Sequence, residues 1–207
     1  MLLLVPKRIL DLGCGEGKWA KRLGAPPNDS LVIGIDISPQ ACIVASHKGP
    51  NPRWICACAR GEQLPLQDSS VDAVISTVAV PYMNIPAALR EIRRVLRPGG
   101  SLDVTLHPCS FILQEFRNRP PLKPSSLLYR GYVVANGLWF HLTGSVVPYP
   151  FGRRCESWQS KRGIRIALER AGFTSVQCVF LPNGSFLVQA LCPLPVQEAK
   201  AVQAAAA

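Results

Sequence analysis

The chain has 207 residues, a mass of 22.5 kDa and a net charge of +10, which is room for one sizeable domain or one domain with an embellishment. With 48% hydrophobic and 17% charged residues, the chain as a whole falls outside the disordered class, and no apolar run approaches the roughly 20 residues that span a bilayer. Residues 1–107 carry 12 basic and 9 acidic side chains, and residues 108–207 carry 11 and 4; an anionic partner is therefore drawn to the later half.

Met1-Leu2-Leu3-Leu4-Val5 is too short for a signal-peptide core, and Lys7 and Arg8 follow it instead of preceding it. It reads as the start of a buried strand in a soluble, cytoplasmic protein. Arg8 to Leu12 is a strand entering a glycine-rich turn, with a helix expected from about Gly17 to Leu23. Leu31 to Asp36 is an apolar strand ending in a carboxylate, and Ser38-Pro39 reads as N-cap and first helical position of the next helix. Arg53 to Cys58 and Val71 to Ser76 are the third and fourth strands. Pro86 to Leu96 is helical by its stripe of Ala88, Leu89, Ile92, Val95 and Leu96. Pro98-Gly99-Gly100 stops it, and Ser101 to His107 is the fifth strand. Strands alternating with helices at this spacing argue for βαβ units and a parallel sheet.

Residues 108–155 differ. They hold six prolines, 8 of the 15 aromatic residues and six basic residues against one acid, Glu115, with no clean periodicity. The expectation is an inserted cap. A helix is expected over Ser157 to Ala171, closed by Gly172. Ser175 to Leu181 and Ser185 to Cys192 flank Pro182-Asn183-Gly184, a hairpin signal. The tail from 196 to 207 has little to bury and is expected to fray. Most of the eight cysteines (Cys14, Cys42, Cys56, Cys178, Cys192) sit in apolar runs, where a free thiol behaves as a small hydrophobe. Cys56-x-Cys58 lacks the spacing and the second pair of a zinc site, so no metal is expected.

Asp11-x-Gly13-x-Gly15-x-Gly17 lies between a strand and a helix, where glycines let the backbone turn sharply and approach a ligand. Asp36 ends the next strand, the position of a carboxylate that binds ribose hydroxyls. A bare βα turn without ligand is the competing reading. A dinucleotide fingerprint would need glycine at 18, where the chain has Lys18. At this point the chain resembles the class I S-adenosylmethionine-dependent methyltransferases of the type 11 group, which includes quinone-biosynthesis enzymes. The blocks that carry the resemblance are Leu10 to Gly17, Gly34 to Ser38, Glu62 to Leu66, Ser70 to Val74 and Arg94 to Gly100. It implies a Rossmann-like α/β fold with helices on both faces of a seven-stranded, mostly parallel sheet of order 3-2-1-4-5-7-6, strand seven antiparallel. A single domain over 1–195 follows, with a cofactor core over 8–107, the cap over 108–155, and a closing helix and hairpin over 156–195.

By the same resemblance, Gly13, Cys14, Gly15 and Gly17 pack against the methionine part of S-adenosylmethionine and Asp11 orients its amino group. Asp36 holds the ribose hydroxyls and Ile37 lies against the adenine. Gly61, Glu62, Gln63 and Leu64 line the adenine pocket, and Ser76 and Thr77 face the methionine end. Arg60-Gly61 stands where relatives commonly carry Asp-Ala. The first strand begins almost at Met1, which leaves residues 108–155 to serve as the substrate cover.

His107 ends the fifth strand on the ligand edge of the sheet and is the candidate general base for a protonated acceptor; a histidine capping its own strand is the alternative. Tyr82, Tyr129, Tyr132, Trp139, His141 and Tyr149 form either an aromatic-walled substrate pocket or the insertion's own small core. Arg153 and Arg154 bind an acidic acceptor or form a solvated basic run, beside Glu156-Ser157-Trp158. The expected activity is methyl transfer to a small anionic or aromatic molecule. The alternatives are an RNA-modifying methyltransferase, suggested by the sequence pI of 9.5, and a cofactor-binding relative without catalysis. An NAD-dependent oxidoreductase is disfavoured by the glycine spacing.

Overall fold

Short apolar runs rich in β-branched residues make the sheet. The computed structural model describes residues 7–17, 30–48, 53–118, 124–152 and 155–195. In chain order these form β1 (Arg8–Leu12), β2 (Leu31–Asp36), α1 (Pro39–Lys48), β3 (Trp54–Cys58), β4 (Val71–Thr77), a single 3-10 turn (Val80–Tyr82), α2 (Ile85–Val95) and β5 (Leu96–Leu106). Then follow α3 (Cys109–Asn118), α4 (Pro124–Thr143), α5 (Lys161–Arg170), β6 (Thr174–Phe180) and β7 (Phe186–Leu191). The helix expected at 17–23, the opening pentad, Arg153, Arg154 and the 196–207 tail lie outside the described residues.

The strands make one sheet of order β3-β2-β1-β4-β5-β7-β6. All pairs from β3 to β5 are parallel, and β7 runs antiparallel to both β5 and β6. This is the order expected from the sequence. Leu10, Val32, Ile35 and Val74 are wholly buried, as befits central strands covered on both faces. Ser38 caps its helix as expected, its Oγ accepting the Ala41 N–H, and Asn84 Oδ1 accepts the Ala87 N–H at the start of α2, a cap the sequence reading did not name.

Three boundaries differ from the sequence reading. The Pro98-Gly99-Gly100 stop lies within β5: Gly99 donates to the Cys192 carbonyl and Cys192 donates to Gly100, so β7 recruits it into the sheet. The closing helix starts at Lys161, four residues later than Ser157. Ser160 is its N-cap, with Oγ accepting the Gly163 N–H, while Gln159 donates its N–H to the His107 carbonyl.

The third difference is the largest. Within 108–155, where no periodicity is evident, α3 and α4 form. The C-terminal half of α4 is built into the main core: Phe140 is fully buried in one cluster with Ile164 and Leu168 of α5 and Leu106 of β5. Gly163 makes the close approach possible, because a Cβ there would stand 2.5 Å from the Phe140 carbonyl oxygen. The exposed side of α4 is apolar too (Leu127, Leu138, Trp139, Leu142). A helix apolar nearly all round shows no 3.6-residue stripe.

Candidate functional site

The turn after β1 is tied to the end of β2. Gly13 and Cys14 both donate to the Ile35 carbonyl, at 2.7 and 3.2 Å, and Gly17 donates to Cys14. Gly13 adopts φ +76°, and a Cβ on it would stand 2.1 Å from that of Ala79, so both conformation and space require glycine. Asp36 closes the arrangement. Its Oδ2 accepts the Gly15 N–H and its Oδ1 the Ser38 N–H, each at 2.9 Å. A carboxylate has about four lone-pair sites, so each oxygen keeps acceptor capacity.

Asp36 faces a cleft of about 190 Å³, small beside the roughly 300–1,000 Å³ of ordinary ligand pockets. Leu12, Gly13 and Ile37 form one side of it; Ala59, Arg60, Gly61 and Glu62 form another. Ala79, Tyr82 and Met83 close it. Ile37 is 63% exposed, an apolar side chain at the mouth of the cleft. Glu62 is fixed by the Asn84 N–H on its Oε1 at 2.9 Å, and its Oε2 lies 3.5 Å from the Arg60 guanidinium. Burial raises the Cys155 thiol and the Glu62 carboxylate raises it further, with Arg60 opposing. The end of the 108–155 segment thus returns within the electrostatic reach of this cleft.

Other expected residues stand elsewhere. Asp11 is buried in β1, paired between Gly34 and Ile75. Cys14 is buried with its thiol raised, first by burial and then by Cys56 and Asp11. Gly15 has open space where a Cβ would stand, and Gly17 faces Ala45 of α1. Gln63 is exposed, and Leu64 is in the core with its N–H on Glu91; of the Glu62-Gln63-Leu64 block, only Glu62 reaches the cleft wall. Ser76 is fully buried and donates to the Leu12 carbonyl at 2.9 Å, which fastens β4 to β1 rather than lining the cleft.

A second cleft, of about 460 Å³, opens at the C-terminal ends of β4 and β5. Thr77, Val78, Thr105 and His107 line it from the strands, and Asn183 and Ser185 from the β6–β7 turn. His107 stacks on Phe111 of α3 at 3.9 Å between ring centroids. The two clefts share a partition, the tail of β4: Thr77 and Val78 belong to the second and Ala79 to the first. Val78 adopts φ +60°, an uncommon conformation for a β-branched residue that turns the chain here. Asn183 and Ser185 were missed as site residues because they read only as hairpin signal. The antiparallel pairing Leu106↔Phe186 is what carries that turn to the β5 edge.

The aromatic residues divide among places. Tyr82 belongs to the first cleft. Tyr129, Tyr132 and Tyr149 cluster with centroids 4.9–5.8 Å apart beside an apolar groove on α4. Tyr129 donates to the Glu156 carboxylate, while Tyr132 donates to the Val147 carbonyl and accepts from Asn136. Burial raises the Tyr132 phenol, so it stays protonated. Trp139 is half exposed on the outer side of α4, and His141 Nδ1 lies 2.9 Å from the capping Ser160 Oγ. Among the described residues no group of three or more His, Cys, Asp or Glu side chains is disposed to hold a metal ion, and no helix is long and apolar enough to cross a membrane.

Residues 10–104 match the model of the methyltransferase domain family. Over this segment the chain is similar to methyltransferase domains of the type 11 group. An uncharacterised methyltransferase of Mycobacterium tuberculosis is 36% identical over 102 residues, 49% of this chain and 40% of that protein. A malonyl-[acyl-carrier protein] O-methyltransferase of Dechloromonas aromatica is 35% identical over 113 residues, 52% of this chain and 40% of that protein. The match thus spans about 40% of the length of these curated relatives. A methyltransferase structure from Methanosarcina mazei shares the fold, with TM-score 0.58, 20% identity, and 92% of this chain and 94% of that one covered. The matched segment contains the glycine turn, Asp36 and Glu62. His107, Asn183 and Ser185 lie beyond it.

Proposed function

We propose that the chain transfers a methyl group from S-adenosylmethionine, held in the first cleft, to an oxygen of a small acceptor held in the second. The observation that carries this reading is the shared partition. A transfer between two bound molecules needs two sites in contact at the reacting atoms, and Thr77-Val78-Ala79 is the stretch of chain with one residue pair on one side and Ala79 on the other.

The residues present suit the cofactor family's ligand. Asp36 offers two carboxylate oxygens, already oriented by backbone N–H groups, to a pair of vicinal hydroxyls. Ile37 and Tyr82 offer apolar and aromatic surface to a flat base, and Glu62 and the Gly61 backbone offer acceptors beside it. When bound, the cofactor supplies an electrophilic methyl group on a positively charged sulfur. The protein's own task is then positioning. Thr77, Thr105 and the Asn183 amide present hydrogen-bonding groups to the acceptor, and Phe111 holds the His107 ring at the cleft wall. His107 takes the proton of a hydroxyl acceptor; a carboxylate acceptor needs none taken. The malonyl-[acyl-carrier protein] in the name of the Dechloromonas relative points to the carboxylate class, as does the basic excess of the later half.

The test is calorimetric titration with S-adenosylhomocysteine, followed by transfer of a labelled methyl group to a panel of carboxylates and phenols. Binding in the micromolar range is expected. His107→Ala should lower transfer to phenols at least tenfold and leave S-adenosylhomocysteine affinity within twofold. Absence of S-adenosylhomocysteine binding by the folded protein overturns the reading.

A further inference from the structure

Four of the eight free cysteines gather around the ends of β2 and β3: Cys14 in the glycine turn, Cys42 on α1, and Cys56 and Cys58 on β3. Cys14 Sγ stands 3.8 Å from Cys56 Sγ. The register explains the approach. Cys56 pairs with Gly34 of β2, and a Cβ on Gly34 would stand 3.0 Å from Cys14 Sγ. Glycine there leaves the space through which the sulfur of the turn reaches across β2. Cys42 Sγ donates to the Asp36 carbonyl at 3.6 Å and the Ala57 carbonyl at 3.4 Å; Cys58 Sγ, exposed, donates to the Ile37 carbonyl at 3.5 Å. The thiols therefore surround the backbone of the residue whose carboxylate faces the first cleft. Methyl transfer uses none of these sulfurs.

We propose that Cys14 and Cys56 form a reversible disulfide that shuts the first cleft to S-adenosylmethionine; the effect on the cleft rests on the function proposed above. A disulfide has an S–S length of about 2.05 Å, so the two sulfurs need to close by under about 2 Å. With hydrogen peroxide as oxidant, Cys56 is the entry point, because β3 is the sheet edge and Cys56 is half-buried while Cys14 is buried. The Cys56 sulfur attacks one peroxide oxygen, the O–O bond breaks, and the departing hydroxide leaves as water with the thiol proton. Cys14 then attacks the sulfenic sulfur of Cys56, the S–S bond forms, the S–O bond breaks, and the hydroxide leaves as a second water with the Cys14 proton. Two thiols are oxidised by two electrons and one peroxide is reduced to two waters. Exchange with a small dithiol reverses the change.

The consequence follows from position. Cys14 lies between Gly13 and Gly15, and the Gly15 N–H is the group that orients Asp36 Oδ2. Drawing Cys14 toward β3 moves that donor, and with it the carboxylate.

The test uses the full chain, treated with peroxide or kept in dithiothreitol. Trypsin releases Cys14 within residues 9–18 and Cys56 within residues 54–60. Non-reducing digests of the oxidised protein should contain these two peptides joined. The joined species should persist in Cys58→Ser and vanish in Cys56→Ser, with Cys56→Ala as a second variant should serine weaken the strand. Oxidation should weaken S-adenosylhomocysteine binding at least tenfold, dithiothreitol should restore it, and Cys56→Ser should keep its affinity in peroxide. A link through Cys42 or Cys58 instead, or joined peptides with unchanged affinity, overturns the proposal. Failure of the reduced protein to bind S-adenosylhomocysteine overturns the function above and, with it, the control of the cleft; the peptide masses still report the pairing separately.

Discussion

The stretch from β1 to β5 and the segment 108–155 are built on different physics. In the first, the proposed function hangs on backbone: glycines at positive φ, strand ends and one carboxylate fixed by two N–H groups. Changing a residue there should change binding more than folding. In the second, the residues that were candidates for recognition hold the structure together. Tyr132 binds Val147 and His141 meets the N-cap of α5, while their neighbour Phe140 fills the main core. The segment 108–155 is thus not detachable: half of α4 is a wall of the domain.

The sharpest way to break this contrast is Phe140→Ala. Loss of a fully buried aromatic side chain costs about 3–5 kcal/mol, read as a drop in the denaturation midpoint. A loss below about 1 kcal/mol would return 108–155 to the status of a loose cap. Asp36→Ala makes the opposite claim. Affinity for S-adenosylhomocysteine should fall by about 1.5–3 kcal/mol, the range for hydrogen bonds to a charged group, and affinity within twofold of the parent in a folded protein would refute the assignment. A smaller effect separates the walls of the first cleft. Asn84→Ala removes the α2 N-cap and costs about 1 kcal/mol in stability; because the Asn84 N–H also holds Glu62, a backbone interaction, nucleotide affinity should change little.

The smallest effect is pH-dependent. The Arg94 guanidinium, hydrogen-bonded to Glu91, holds that carboxyl below its ordinary value of 4.5, and the Leu64 N–H adds to this. A depressed carboxylate contributes stability that is complete above the unfolded value and is lost as the pH falls through the folded one. The stability gap between the parent and Glu91→Gln should therefore be constant from about pH 7 to 5 and narrow below about 4.5. A gap that persists unchanged to about pH 3 would show that Glu91 acts by packing alone.

The sequence by itself determined the parallel core and its glycine turn. Each of those signals is local: an apolar run of strand length, a glycine at a sharp turn, a carboxylate at a strand end, a capping Ser. Pro182-Asn183-Gly184 likewise announced its hairpin. Tertiary structure alone decided the rest. Ser76 reads as a cleft residue until β1 supplies the Leu12 carbonyl that takes its hydroxyl, and Pro98-Gly99-Gly100 reads as a stop until β7 pairs with it. The helices of 108–155 left no periodic trace because α4 is apolar on its buried and exposed sides alike, and periodicity records only a difference between faces. Asn183 became a cleft residue through strand order, since the antiparallel β5–β7 pair carries a turn distant in sequence to the edge where β4 and β5 end. Local chemistry is written in neighbouring residues, whereas pairing across the sheet depends on which surfaces meet after the chain has folded.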